Sequence, residues 1–160
     1  MVQTDLRVII VDDNEDDYNT IKEICDDLGI ATFPRTRREF NEFRSLLCRS
    51  LGEKMPADLI ARAVEDINFR IEEFTKDADS VLYIIDDELK ENSREVTGKA
   101  FYKTFAKNKL CLFVSSLQPY YGEEFKTFAQ SVGSEVLWKD KTFKDLFTLK
   151  LKRITLTRKI

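Results

Sequence analysis

The sequence predicts an α/β fold, a doubly wound five-stranded parallel sheet with helices on both faces. Three observations lead there. Five short apolar runs rich in β-branched residues recur along the chain, the composition of strands buried on both sides. Stretches with apolar residues at helical spacing separate them, and strands alternating with helices assemble into parallel sheets. The length of 160 residues suits one domain, and a chain of that size buries roughly 70% of its unfolded surface.

Leu6 to Val11 is the first strand, ending on Asp12, Asp13 and Asn14. A helix follows with Tyr18, Ile21, Ile24/Cys25 and Leu28 on one face, and Gly29 stops it. Ile30 to Phe33 is the second strand. The segment from about 35 to 78 then holds two helices, one more than a simple alternation needs. Thr36-Arg37-Arg38-Glu39 reads as a capping box ahead of Phe40, Phe43, Leu46/Leu47 and Leu51. Gly52 breaks that pattern, and Pro56 suits a new first turn. Leu59/Ile60, Ala63/Val64, Ile67, Ile71 and Phe74 form the next apolar stripe.

Val81 to Ile85 is the third strand, ending on Asp86, Asp87 and Glu88. A polar loop runs to Thr97-Gly98, and Phe101 and Phe105 mark a short helix. Leu110 to Val114 is the fourth strand, followed by Ser115-Ser116. Phe125, Phe128/Ala129 and Val132 give a helix closed by Gly133. Val136 to Trp138 is the fifth strand, followed by Lys139. Phe143, Leu146/Phe147, Leu151 and Ile154 place the last helix. No repeat, low-complexity tract or linker interrupts the order. The reading is one domain over residues 1–160, with its core at 6–154.

Composition excludes several function classes. Hydrophobic residues at 42% and charged residues at 34% suit a globular chain rather than a disordered one. No apolar run reaches the roughly 20 residues of a membrane span. Met1 to Asp5 lacks a signal-peptide pattern, so the expected compartment is the cytoplasm. The chain has no histidine, which removes Ser-His-Asp and Cys-His catalysis, His-bearing zinc sites and phosphotransfer through its own histidine. Cys25, Cys48 and Cys111 are odd in number, lie in apolar runs and lack Cys-x-x-Cys spacing, the pattern of buried free thiols. Eight bases against Asp140 and Asp145 make residues 139–160 basic. No zinc finger or aromatic-interleaved stripe accompanies them, so a solvated face is expected rather than a nucleic-acid contact.

Ligands of such sheets bind outside the carboxyl ends of the strands. The residues that follow the strands are Asp12 and Asp13, then Asp86 with Asp87 and Glu88, then Ser115, then Lys139. Carboxylates gathered on one edge repel by about 4 kcal/mol per pair at 4 Å and an effective dielectric near 20. A hard divalent cation offsets that, and Mg²⁺, which accepts one or two carboxylates and engages phosphate, fits best. A carboxylate beside it can attack phosphorus, with Lys139 and the Ser115 hydroxyl sharing the charge of the transferring group. Each residue also has a plainer role: Asp12 and Asp13 as an acidic helix start, Asp86 as a turn acid, Ser115 and Lys139 as strand-end polar groups. Arg35, Arg37, Arg38 and Arg44 read as a solvated face.

The chain resembles the receiver domains of two-component response regulators over residues 6–154. The matching stretches are Val8-Ile-Ile-Val-Asp12-Asp13-Asn14, Leu82-Tyr-Ile-Ile-Asp86 with Leu89 beyond it, Phe113-Val-Ser115-Ser116, and Leu137-Trp-Lys139. The resemblance implies a flavodoxin-like strand order 2-1-3-4-5 with an extra helix between strands two and three. It implies Mg²⁺ placed by Asp12, Asp13, Asp86 and the Glu88 backbone carbonyl. Asp86 would be the phosphoacceptor, Ser115 the switch hydroxyl and Lys139 the phosphate-contacting lysine. The expected donor is a histidine kinase or phosphotransfer protein, and the expected output is altered binding of a protein partner by a stand-alone receiver.

The chain departs from that pattern at several positions. Asp140 replaces the proline that usually follows the lysine, Lys90 replaces the proline after the acceptor, Gly98 lies four residues late, and Val136 replaces the switch aromatic, with Trp138 two residues on. A phosphorylation-independent scaffold on the same fold is therefore the competing expectation. A phosphatase-like enzyme lacks its Asp-x-Asp after the first strand, and a dinucleotide site lacks its glycine-rich turn.

Overall fold

A computed structural model describes residues 5–52, 54–90, 93–116 and 122–157. Met1 to Thr4, and Arg158 and Lys159 of the basic C-terminal stretch, lie outside the described residues. Among those described, β1 (Leu6–Val11), β2 (Ala31–Phe33), β3 (Ser80–Asp86), β4 (Leu110–Ser115) and β5 (Val136–Trp138) form one sheet in the order β2-β1-β3-β4-β5. Every pairing is parallel. This is the expected α/β architecture, consistent with a flavodoxin-like fold. The described helices are α1 (Glu15–Asp27), α2 (Arg37–Leu51), α3 (Ala57–Thr75), α4 (Gly98–Phe101), α5 (Glu123–Ser131) and α6 (Phe143–Thr157).

Alternation along each strand sorts the apolar residues into two cores. Val8, Ile10, Leu82, Ile84, Leu112 and Val114 pack with Tyr18 and Ile21 of α1 and Phe143, Phe147 and Leu151 of α6. Ile9, Val11, Tyr83, Ile85 and Phe113 face the opposite way, against α2 to α5. Leu59 and Leu146, expected on buried stripes, are exposed, while their stripe partners Ala63, Ile67, Phe143 and Phe147 are buried.

Local signals set the helix ends. Asn14 accepts from the Asp17 amide at 3.0 Å and caps α1, and Gly29 ends it at φ +71°, a conformation in which a β-carbon is unfavourable. Thr36 accepts from the Glu39 amide at 3.2 Å. Glu39 answers by accepting from the amide of Arg35, one residue beyond the cap. The two helices between β2 and β3 are joined by Arg70 of α3, which binds Glu42 of α2 and Asp66, both at 2.9 Å. Phe33 of β2 holds both helices, with Phe43 at 5.2 Å and Phe74 at 5.7 Å. At the carboxyl end of α3, Arg7 of β1 donates to the carbonyls of Phe74 and Lys76, each at 2.7 Å. A guanidinium there satisfies carbonyls that the helix leaves without partners.

The short helix expected around Phe101 and Phe105 has an unexpected form. α4 continues directly into a π-helical turn, Tyr102–Ala106. The wider turn lets Phe101, Tyr102 and Ala106 all reach the core, where all three are buried; Tyr102 meets Phe113 at 5.9 Å and Phe128 at 5.6 Å.

Gly98 fixes the start of α4 against the end of β3. Its amide donates to the Asp87 carbonyl at 2.8 Å. A β-carbon there would overlap the Asp86 carbonyl oxygen and lie 2.9 Å from Ile85 Cγ2. Only glycine allows this backbone approach. Gly98→Ala is expected to cost about 1–3 kcal/mol, the range of core overpacking. Urea unfolding measures it, and an unchanged midpoint contradicts the close approach.

Candidate functional site

Parallel register brings the strand ends to one edge. Asp86 closes β3 opposite Val114, and Ser115 closes β4 opposite Trp138. The ladders run one step further: the Asp87 amide donates to the Val114 carbonyl at 3.1 Å, and the Lys139 amide to the Ser115 carbonyl at 2.8 Å. Asp12 and Asp13 leave β1 beside them. Asp13, Asp86, Glu88, Ser115 and Lys139 all line a cavity of about 500 Å³ there. Asp12 is buried next to it, and its carboxylate meets Lys139. Every residue predicted for the site therefore belongs to one cluster.

Lys139 is its centre. With 8% of its side chain exposed, Nζ lies 2.7 Å from Asp12 Oδ2, 2.9 Å from Asp17 Oδ2 and 3.0 Å from Asp86 Oδ1. Asp12 also accepts from the Asn14 amide at 3.0 Å through its other oxygen. Three carboxylates, those of Asp12, Asp17 and Asp86, thus contact one ammonium, with the half-buried Asp13 beside them, and negative charge exceeds positive charge at this edge. Burial, then the neighbouring Asp12, pushes the Asp86 carboxyl up to about 8, against the opposing pull of Lys139. Burial likewise raises Asp12 and Asp13 above the usual carboxylate range. Lys139 resists its own desolvation because Asp12 and Asp86 hold it charged. Asp87 is pushed up to about 6 by burial and by the charges of Glu88 and Glu124.

The donor set fits a divalent cation. One oxygen from each of Asp12, Asp13 and Asp86 lies within 4.8 Å of the others, close enough for small side-chain rotations to bring them onto one Mg²⁺ with bonds of about 2.0–2.1 Å. The donors are all hard oxygens, and the charge excess at this edge is the imbalance such an ion removes. Glu88 is exposed and lines the cavity; its backbone pairs with Thr97, which steadies the loop after β3. Ser116 lies at the rim.

Two residues of the site escaped the sequence reading. Asp17 lies one helical turn past Asp13 on α1, and that spacing is a usable signal. Arg44, read as part of a solvated face, is exposed but lines the cavity. It donates to the Asp13 carbonyl at 3.2 Å and sits 5.2 Å above the Phe40 ring. Its approach depends on how α2 packs, which no local pattern encodes. The other three arginines keep the expected exposed positions. Asp140, where a proline was expected, accepts from the Thr142 amide at 2.9 Å and hydroxyl at 2.6 Å and leads into α6. Among the described residues the one cis peptide is Phe33–Pro34. Cys25 and Cys111 are buried free thiols as expected, and Cys48 is half-buried. No described helix is long and apolar enough to cross a membrane.

Comparison with protein-family models, with curated proteins and with solved structures finds no match to this chain.

A carboxyl whose folded value is raised stabilises the fold while protonated and loses that contribution as pH rises from its unfolded value, near 4, through its folded one. In chelator, the wild type should therefore lose stability between about pH 5 and pH 8.5. Asp86→Asn should match it near pH 5 and exceed it by about 1–3 kcal/mol at pH 8.5. Urea midpoints across that range test this; a variant that is less stable at pH 8.5 refutes the assigned charge excess.

Proposed function

We propose that this chain is a receiver-like signalling protein that accepts a phosphoryl group on Asp86 in a Mg²⁺-dependent reaction. The observation that carries the reading is the meeting of Asp12, Asp13, Asp86, Ser115 and Lys139 at the carboxyl edge of a 2-1-3-4-5 sheet. The order of those residue types along the strands is that of receiver domains.

Asp86 is the attacking group. One of its oxygens forms a bond to phosphorus as the bond from phosphorus to the donor's leaving atom breaks, and the departing group takes that electron pair. The product is an acyl phosphate. Lys139, 3.0 Å from Asp86, stands where it can follow the charge onto the phosphoryl oxygens, and the Ser115 hydroxyl lies in the same cavity. Attack requires an ionised Asp86, which burial and Asp12 oppose. A bound divalent cation supplies the compensating charge. With no histidine in the chain, the donor is another molecule; the resemblance to receiver domains makes it a phosphohistidine of a kinase or phosphotransfer protein, for which a small acyl phosphate can stand in. The phosphoryl group adds about −1.5 to −2 charges. Drawing Ser115 and Lys139 toward it alters the surface of β4, β5 and their helices, and so the binding of a protein partner.

One observation favours a second reading, a scaffold that needs no phosphorylation. Lys139 already bridges three carboxylates, so the acids are partly neutralised without any ion.

Incubation with Mg²⁺ and acetyl phosphate or phosphoramidate, followed by intact mass measurement, separates the two. The expected result is a gain of one phosphoryl group that chelator prevents and Asp86→Asn abolishes. An unchanged mass, or the same gain in Asp86→Asn, removes the phosphoacceptor reading and leaves the scaffold.

A further inference from the structure

We infer that Asp17 is a positioning residue for Lys139: it holds the ammonium when a divalent cation takes Asp12 and Asp86, and so sets how tightly that cation binds. The inference rests on the cation site of the proposed function and adds to it a competition between two cations of the same pocket. Asp12 and Asp86 are the shared partners. Both lie within ion-pair distance of Nζ, at 2.7 and 3.0 Å, and both belong to the set of three carboxylates close enough to hold an ion. A divalent cation and the ammonium cannot both sit centrally among these oxygens, because like charges at such separations repel strongly in a buried site. Entry of the ion requires Lys139 to yield.

Asp17 gives it somewhere to go. Its Oδ2 is 2.9 Å from Nζ, yet Asp17 lies outside the set of three carboxylates. It is also the most exposed of the three partners, with side-chain exposure of 37% against 1% for Asp12 and 9% for Asp86. Lys139 can keep this contact while releasing the two buried ones, and it stays in the cavity, available to a phosphoryl oxygen. The place of Asp17 is fixed by the start of α1, where its amide is held by Asn14 at 3.0 Å. The residue after Lys139 contributes no such restraint on the ammonium: Asp140 turns to Thr142 instead. Of the three contacts that orient Lys139, the one that does not use the cation site comes from across the cavity, from α1.

The competition has a signature that simple loss of negative charge lacks. Removing Asp17 should weaken Mg²⁺ binding chiefly because Lys139 then rests on Asp12 and Asp86 alone. Without Lys139 the effect should largely vanish. Mg²⁺ affinity of the full chain is measured by calorimetric titration for the wild type, Asp17→Asn, Asp17→Glu, Lys139→Gln and the double variant Asp17→Asn/Lys139→Gln. We expect Lys139→Gln to tighten binding about tenfold, Asp17→Asn to weaken it about fivefold, and Asp17→Glu to restore most of the loss. In the Lys139→Gln background, Asp17→Asn should change affinity by less than about twofold. Equal weakening in both backgrounds overturns the inference and leaves Asp17 as a distant charge. If neither the wild type nor Lys139→Gln binds Mg²⁺, the cation site itself fails, and the inference with it. Phosphorylation is not part of this assay, so loss of the phosphoacceptor reading alone leaves its result standing.

Discussion

The ion pairs of Lys139 hold the charged edge of this sheet together. Asp12 and Asp86 are buried, and two buried carboxylates at neighbouring strand ends would drive that edge apart without a cation between them. One ammonium serves both and reaches Asp17 as well. The sheet edge is thus closed by charge, in contrast with the apolar layers below it. Like charges crowd there, since Lys139 and the more exposed Arg44 face four acids. Such an imbalance is costly to keep and characteristic of sites that bind something.

Much of this was legible in the sequence because the edge is a one-dimensional pattern. A parallel sheet puts each residue that follows a strand on the same rim, so reading the positions after five apolar runs was enough to collect Asp12, Asp13, Asp86, Ser115 and Lys139. The two helices before β3 were legible too, through Thr36, Gly52 and Pro56 as punctuation. What stayed hidden depends on packing angles. Arg44 reaches the cavity only because Phe40 seats α2 against Tyr18 of α1, ring to ring at 4.7 Å. The π turn after Phe101 is a response to crowding, with Tyr102, Phe113, Phe125 and Phe128 meeting edge to face, and no spacing rule announces it. Gly98 was visible as a helix start, but its reason, the nearness of the Asp86 carbonyl, appears only in three dimensions.

The same geometry relates fold to chemistry. Gly98 and the Asp87 amide fix the backbone that follows Asp86, so the carboxylate is held by a bonded frame. Ser115 sits at the end of the neighbouring strand, fully buried, and the amide of Lys139 is tied to its carbonyl. A change in charge at Asp86 is therefore felt first by side chains whose own backbones are fixed. Adjustment falls to rotamers and to the loops beyond.

Arg7 has a consequence for the helices between β2 and β3. Its guanidinium rests on the carboxyl end of α3, and it belongs to β1, which pairs with β2 on one side and β3 on the other. Five and six residues further along, the same strand delivers Asp12 and Asp13. The added helix is accordingly anchored to the strand that carries the acids, at a distance of about 20 Å along a fully bonded backbone. The carboxyl end of α3 is thus coupled to the start of the strand whose other end lies beside the charged cavity.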